Sequence, residues 1–119
     1  MSDVIFYVCE VAIKEGRLEN FKAVMKDMVE ATQANEPATM NYQWFIAPDG
    51  VTCHVFERYE NSAAVKAHLT SVRERFNERY WATVEPKHFT VYGNPSDEVK
   101  KIFAALDTVF MAPIAGFAR

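Results

Sequence analysis

The chain has 119 residues, half of them apolar and about a quarter charged, with a formal net charge of −3. That describes one globular domain of ordinary size, and without a basic stripe it argues against a nucleic-acid partner. No apolar run reaches the roughly 18 residues of a membrane span, and two cysteines without a CxxC pair beside three scattered histidines outline no zinc site.

Met1-Ser2-Asp3 runs straight into strand-like sequence with no secretion signal, so a reducing, cytoplasmic setting is expected. Val4 to Ile13 is nearly continuous apolar sequence, which predicts a central strand covered on both faces. Glu15-Gly16 turns the chain. Leu18, Phe21, Val24, Met25, Met28 and Val29 then recur at helical spacing, predicting a helix over 17–35 that stops before Pro37. Met40 to Ala47 is an aromatic-rich strand. Pro48-Asp49-Gly50 makes a hairpin turn, and Val51 to Tyr59 returns. Asn61 or Ser62 caps a second helix. Its apolar stripe is Val65, Leu69, Val72, Phe76 and Tyr80, with a break expected near Thr70-Ser71. Strand sequence resumes from Val84 to Tyr92 and ends at Gly93.

The order β-α-β-β-α-β is the ferredoxin-like arrangement. It predicts an α+β fold: a four-stranded antiparallel sheet with two helices on one face. A third helix starts at Asn94-Pro95-Ser96, and the apolar tail Val109 to Phe117 must pack somewhere. Residues 1–93 are thus expected to form the core domain, and 94–119 a helix and tail lying on that domain or on a partner subunit. Strand 1 carries apolar residues at both parities, Ile5/Tyr7/Cys9/Val11 and Phe6/Val8/Ala12. The second sheet face is therefore expected to be buried against a second copy. Cys9 and Cys53 read as buried thiols on neighbouring strands.

The stretch VTCHVFERYENSAAVKAHL (51–69), together with Glu36-Pro37-Ala38-Thr39-Met40-Asn41-Tyr42, resembles the antibiotic biosynthesis monooxygenase family over about Val4 to Tyr92. The resemblance implies a two-fold dimer whose sheets wrap into an α/β barrel. It also implies cofactor-independent oxygenase chemistry on a small quinol or polycyclic phenolic substrate. Ala38-Thr39 stands where family members often have Gly-Cys. Heme-degrading relatives carry an axial histidine further along the second helix, and Ser71 to Ala82 contains none, which argues against heme chemistry.

His68 matches the histidine of the family's Ala-His-Leu pattern. It would act as acid or base, since an ordinary imidazole titrates near neutrality; a purely structural helix histidine is the competing reading. Asn41 would hold a substrate oxygen. Tyr42 and Trp44 share one strand face, opposite Asn41, and with Tyr80 they would wall a flat ring; core or dimer-face packing is the alternative for each. Glu57 and Arg58 read as a strand-end ion pair or helix-cap partner. His54, His88 and Trp81 are weaker candidates. With only four glycines, no phosphate-cradling loop is present. Cofactors and metals are expected to be absent. The expectation is thus a monooxygenase, or alternatively a non-catalytic dimeric binding or stress-response protein. An isomerase- or dehydratase-like proton transfer would use the same histidine.

Overall fold

Strand β1 (Ile5–Ile13) occupies the middle of the sheet and alternates buried with half-buried residues along its whole length. Ile5, Tyr7, Cys9, Val11 and Ile13 form its buried face. The computed structural model of the chain describes residues 3–119; the N-terminal expectation at Met1-Ser2 lies outside the described residues. Helix α1 (Leu18–Asn35) follows and lays Phe21, Val24 and Met28 onto that face. Strands β2 (Thr39–Ile46) and β3 (Thr52–Tyr59) form the hairpin. Its turn is held by Asp49, whose Oδ1 accepts from the amides of Val51 and Thr52, each at 2.8 Å.

Asn61 caps α2 (Ser62–Arg75) by accepting from the Ala64 amide at 2.9 Å. The helix does not break at Thr70-Ser71. It breaks at Phe76, whose φ of −129° and ψ of −5° leave helical geometry before the short helix α3 (Asn77–Trp81). The offset lets both Phe76 and Tyr80 bury their rings, as a large apolar side chain requires. Strand β4 (Val84–Tyr92) completes the four expected antiparallel strands.

Then comes an element the sequence pattern did not resolve. Helix α4 (Asp97–Phe103), capped by the Ser96 side chain, crosses to β5 (Thr108–Met111), which joins β4 in parallel. A helical crossover is what a parallel partner demands. The sheet is therefore five-stranded and mixed, ordered β2-β3-β1-β4-β5. In the single chain it is open rather than closed into a barrel. The helices contribute Val24, Val65 and Val99 to one core on one sheet face. The other face carries Phe6, Val8, Glu10, Ala12, Phe56 and His88, half-buried to exposed. The apolar tail beyond β5 lies exposed, with Ile114 98% and Phe117 81% accessible. Among the described residues no helix is long and apolar enough to cross a membrane.

Gly93 closes β4 at φ +121°, and a Cβ there would meet the Val4 carbonyl oxygen at 2.9 Å. Gly93→Ala is expected to cost about 1–3 kcal/mol. Urea unfolding should show a lowered midpoint with an unchanged slope; an unshifted midpoint would contradict this close approach.

Candidate functional site

Strand alternation places Cys53, Val55, Glu57 and Tyr59 on the helix side of β3, all of them buried. An acidic residue in that series is the exception, and the site is built around it. Glu57 Oε1 accepts from Tyr59 OH at 2.6 Å and lies 3.3 Å from His68 Nε2. Glu57 Oε2 meets the Cys9 thiol at a longer 3.7 Å. His68 reaches down from α2 and is only 2% exposed, deeper than the apolar Leu69 beside it. Its other nitrogen, Nδ1, contacts Glu36 Oε1 at 2.8 Å, just past the end of α1. Thr39 Oγ1 donates to the same Glu36 oxygen at 3.0 Å, and Tyr7 OH donates to Tyr59 OH at 3.2 Å. One continuous chain of polar groups thus runs Tyr7–Tyr59–Glu57–His68–Glu36.

The electrostatics follow from that geometry. Burial alone would lower the His68 pKa, but the two carboxylates outweigh it and raise it from 6.5 to about 9. His68 is therefore an imidazolium at neutral pH, donating from both nitrogens. Glu36 is held below its ordinary value: burial pushes it up, and the hydrogen bond and charge of His68, with the Thr39 hydroxyl and the Arg75 charge, together more than reverse this. Burial pushes the phenols of Tyr7, Tyr42, Tyr59 and Tyr80 well above 10, so all four remain neutral donors. The Cys9 thiol is raised likewise, and Cys53 to about 11, both chiefly by burial; these are inert thiols.

Beside the pair lies a cavity of about 100 Å³. His68 and Glu57 line it together with Tyr42, Trp44 and Tyr80, the three residues expected to wall a ring. The Tyr42 ring stands edge-on to His68 at 4.9 Å, and Trp44 meets Tyr42 at 5.6 Å and Tyr80 at 5.9 Å. Trp81 is also part of the wall. Trp44 Nε1 is a buried donor with no hydrogen-bond partner among the described residues.

Asn41 is not brought to this cluster. It pairs in register with Arg58 on the open face, where its side chain donates to Gln43 at 3.2 Å and accepts from Arg58 at 3.4 Å. Nor do Glu57 and Arg58 form the expected strand-end ion pair, because successive residues point to opposite faces. His54 and His88 both flank Glu10 across the open face, with His54 Nε2 3.2 Å from Glu10 Oε1. No cluster of three metal-ligating side chains occurs among the described residues. Glu57 and Glu36 are the site residues that sequence reasoning passed over. The signal for Glu57 was its parity with Val55 and Tyr59; for Glu36 the sequence holds none beyond its place at a helix end.

The model of the antibiotic biosynthesis monooxygenase family matches residues 5–91. The chain belongs to this family. No curated protein matches it by sequence. Among solved structures it is similar to MupZ from Pseudomonas fluorescens, at 23% identity and a TM-score of 0.84, with 99% of this chain and 96% of that one covered. It is also similar to SnoaB from Streptomyces nogalater, described as a cofactor-independent oxygenase. There the identity is 12% and the TM-score 0.66, with 80% of this chain and 96% of that one covered. A protein of Shewanella oneidensis aligns at 21% identity and a TM-score of 0.63, covering 76% of this chain and 88% of that one. At these identities the likeness is one of fold.

The raised His68 pKa has a sign that can be tested. Pairing of the imidazolium stabilises the fold fully below the unfolded value of 6.5 and is lost as pH rises through about 9. The loss is on the order of 3 kcal/mol. Stability should therefore fall between pH 7 and 10, and NMR titration of the His68 ring should place its midpoint near 9. A midpoint near 6.5 would break the two-carboxylate picture.

Proposed function

We propose that this family member is an enzyme whose chemistry starts with a proton transfer at Glu57, and that it is a cofactor-independent monooxygenase of a small quinol or phenolic compound. The observation that carries this reading is a carboxylate and an imidazolium held side by side in an aromatic-walled cavity. Glu57 Oε2, which the Cys9 thiol meets only at a long 3.7 Å, is the proton acceptor. Tyr42, Trp44 and Tyr80 hold the ring. The substrate anion gives its electrons to dioxygen and forms a carbon–oxygen bond as a peroxide. His68 protonates the outer oxygen to a hydroperoxide. The neutral imidazole then takes the remaining hydrogen of that carbon as a proton while the O–O bond breaks: the inner oxygen stays as a carbonyl, and the outer one leaves as hydroxide, which becomes water with the proton Glu57 took in the first step. Substrate supplies every electron, so the protein need contribute only position, dryness and charge. The family match and the likeness of fold to SnoaB support this reading.

A redox-neutral proton transfer, isomerase- or dehydratase-like, is the second reading. It is supported by the same pair, since a base and an acid 3.3 Å apart suit moving a proton between two atoms of one substrate.

Oxygen uptake by metal-free protein with a panel of reduced quinols and anthrones separates the two. A no-enzyme autoxidation blank and Glu57→Gln run alongside. Uptake above blank that drops 10²-fold or more in Glu57→Gln is expected. Substrate conversion without oxygen consumption would replace the first reading by the second. No conversion at all would leave a binding protein.

The resting assembly we propose is a homodimer through the open sheet face. Phe45 is more than half exposed there, beside a groove of about 330 Å³ that also includes Val8, His54 and Phe56. Contiguous exposed apolar surface of this kind marks an interaction site. Two buried free thiols suit a cytoplasmic setting. Light scattering should give twice the chain mass, and Phe56→Glu should halve it while the far-ultraviolet spectrum stays unchanged. A monomeric parent would overturn the dimer.

A further inference from the structure

The family match ends at residue 91, but the wall of the cavity does not. Phe103, the last residue of α4, and Leu106, in the turn that follows, line the same cavity as His68 and Glu57. Phe103 is 2% exposed and stands edge-on to Tyr7, with ring centroids 5.0 Å apart. Leu106 is half-buried and packs against the core cluster.

This wall is fastened at both ends. At its start, the Ser96 amide donates to Ser62 Oγ at 2.9 Å, and Lys66 pairs with Glu98. Both anchors, Ser62 and Lys66, sit on α2, the helix that carries His68. At its finish, the Leu106 amide donates to the Phe103 carbonyl at 3.0 Å, and Thr108 Oγ1 donates to the same oxygen at 3.0 Å. The chain then enters β5 and is held by the ladder to β4. A segment tied this way has little freedom to swing aside when a ligand arrives.

The volume makes the consequence concrete. At about 100 Å³ it is smaller than a cavity of roughly 150 Å³ that accepts benzene, and well below the roughly 300 Å³ at which ordinary ligand pockets begin. We propose that the C-terminal extension, through Phe103 and Leu106, is the specificity-determining wall of the site, restricting this chain to a ligand of no more than one ring. The proposal rests on the reading of the cavity as a site for aromatic ligands. It narrows that reading: a polycyclic phenol fits only if Leu106 gives way. Phe103 packs on the core and is poorly suited to truncation, whereas Leu106 is accessible from one side and its truncation removes wall rather than framework.

The test is a size series of phenol, 1-naphthol and anthrone, followed by amide shift perturbation in the parent and in Leu106→Ala. A crystal structure of the variant accompanies it. Phenol is expected to perturb residues around His68 in both proteins with affinities within threefold. 1-Naphthol should gain at least tenfold in Leu106→Ala. Equal size cut-offs in the two proteins, or a parent that takes anthrone as readily as phenol, would overturn the wall. So would a variant whose cavity is no larger. A variant with an enlarged cavity that still binds no ring would leave the wall standing and sink the aromatic-ligand reading instead.

Discussion

Everything in this molecule is arranged around a charged imidazole that water does not reach. His68 sits on an apolar helix face at 2% exposure, where an unpaired cation is not tolerated. Two carboxylates from distant parts of the chain answer it: Glu57 from the end of β3 and Glu36 from the end of α1. That pairing ties α2 to the sheet and to the end of α1. Replacing His68 by an apolar residue would leave the buried Glu57 and the half-buried Glu36 carboxylates without their shared cation, a worse arrangement than the pair or its absence. The cluster therefore serves the fold and any chemistry at once. A carboxamide at position 57 disturbs the first less than removal of the imidazole would.

The elements of the core were legible because each is written at its own period. α1 follows from Phe21, Val24 and Met28, and the hairpin from Pro48-Asp49-Gly50 between two β-rich runs. The parity of Tyr42 and Trp44 places both on the cavity side, and Asn41 by the same rule away from it. What the sequence concealed were the interactions that depend on three elements meeting. Glu57 looks like any strand-end acid until β3 is seen alternating beneath α2. Glu36 comes near His68 only because α1 ends where it does, 32 residues earlier in the chain. The fifth strand was hidden differently: Thr108 to Met111 is four residues long and exposed on most of its side chains, so no alternation marks it.

The family model accounts for residues 5–91 and does not extend over the appended helix and strand. The alignment with MupZ runs over nearly the entire length, while SnoaB matches only about four-fifths of it. A shared core with variable walls is how one scaffold comes to serve several ligands. Here the wall is tied by a hydrogen bond at Ser62 and an ion pair at Lys66 to the helix that bears the imidazole.

The chain has two tryptophans, and both, Trp44 and Trp81, wall the cavity. Its tryptophan emission is consequently a signal from the site alone, with no indole elsewhere to dilute it. The unpartnered Nε1 of Trp44 sharpens that signal. A guest that offers this N–H an oxygen changes the polarity around the excited indole, whereas a guest that merely fills space does not. The protein thus carries its own optical probe, able to tell an oxygen-bearing occupant from an apolar one before any turnover is sought.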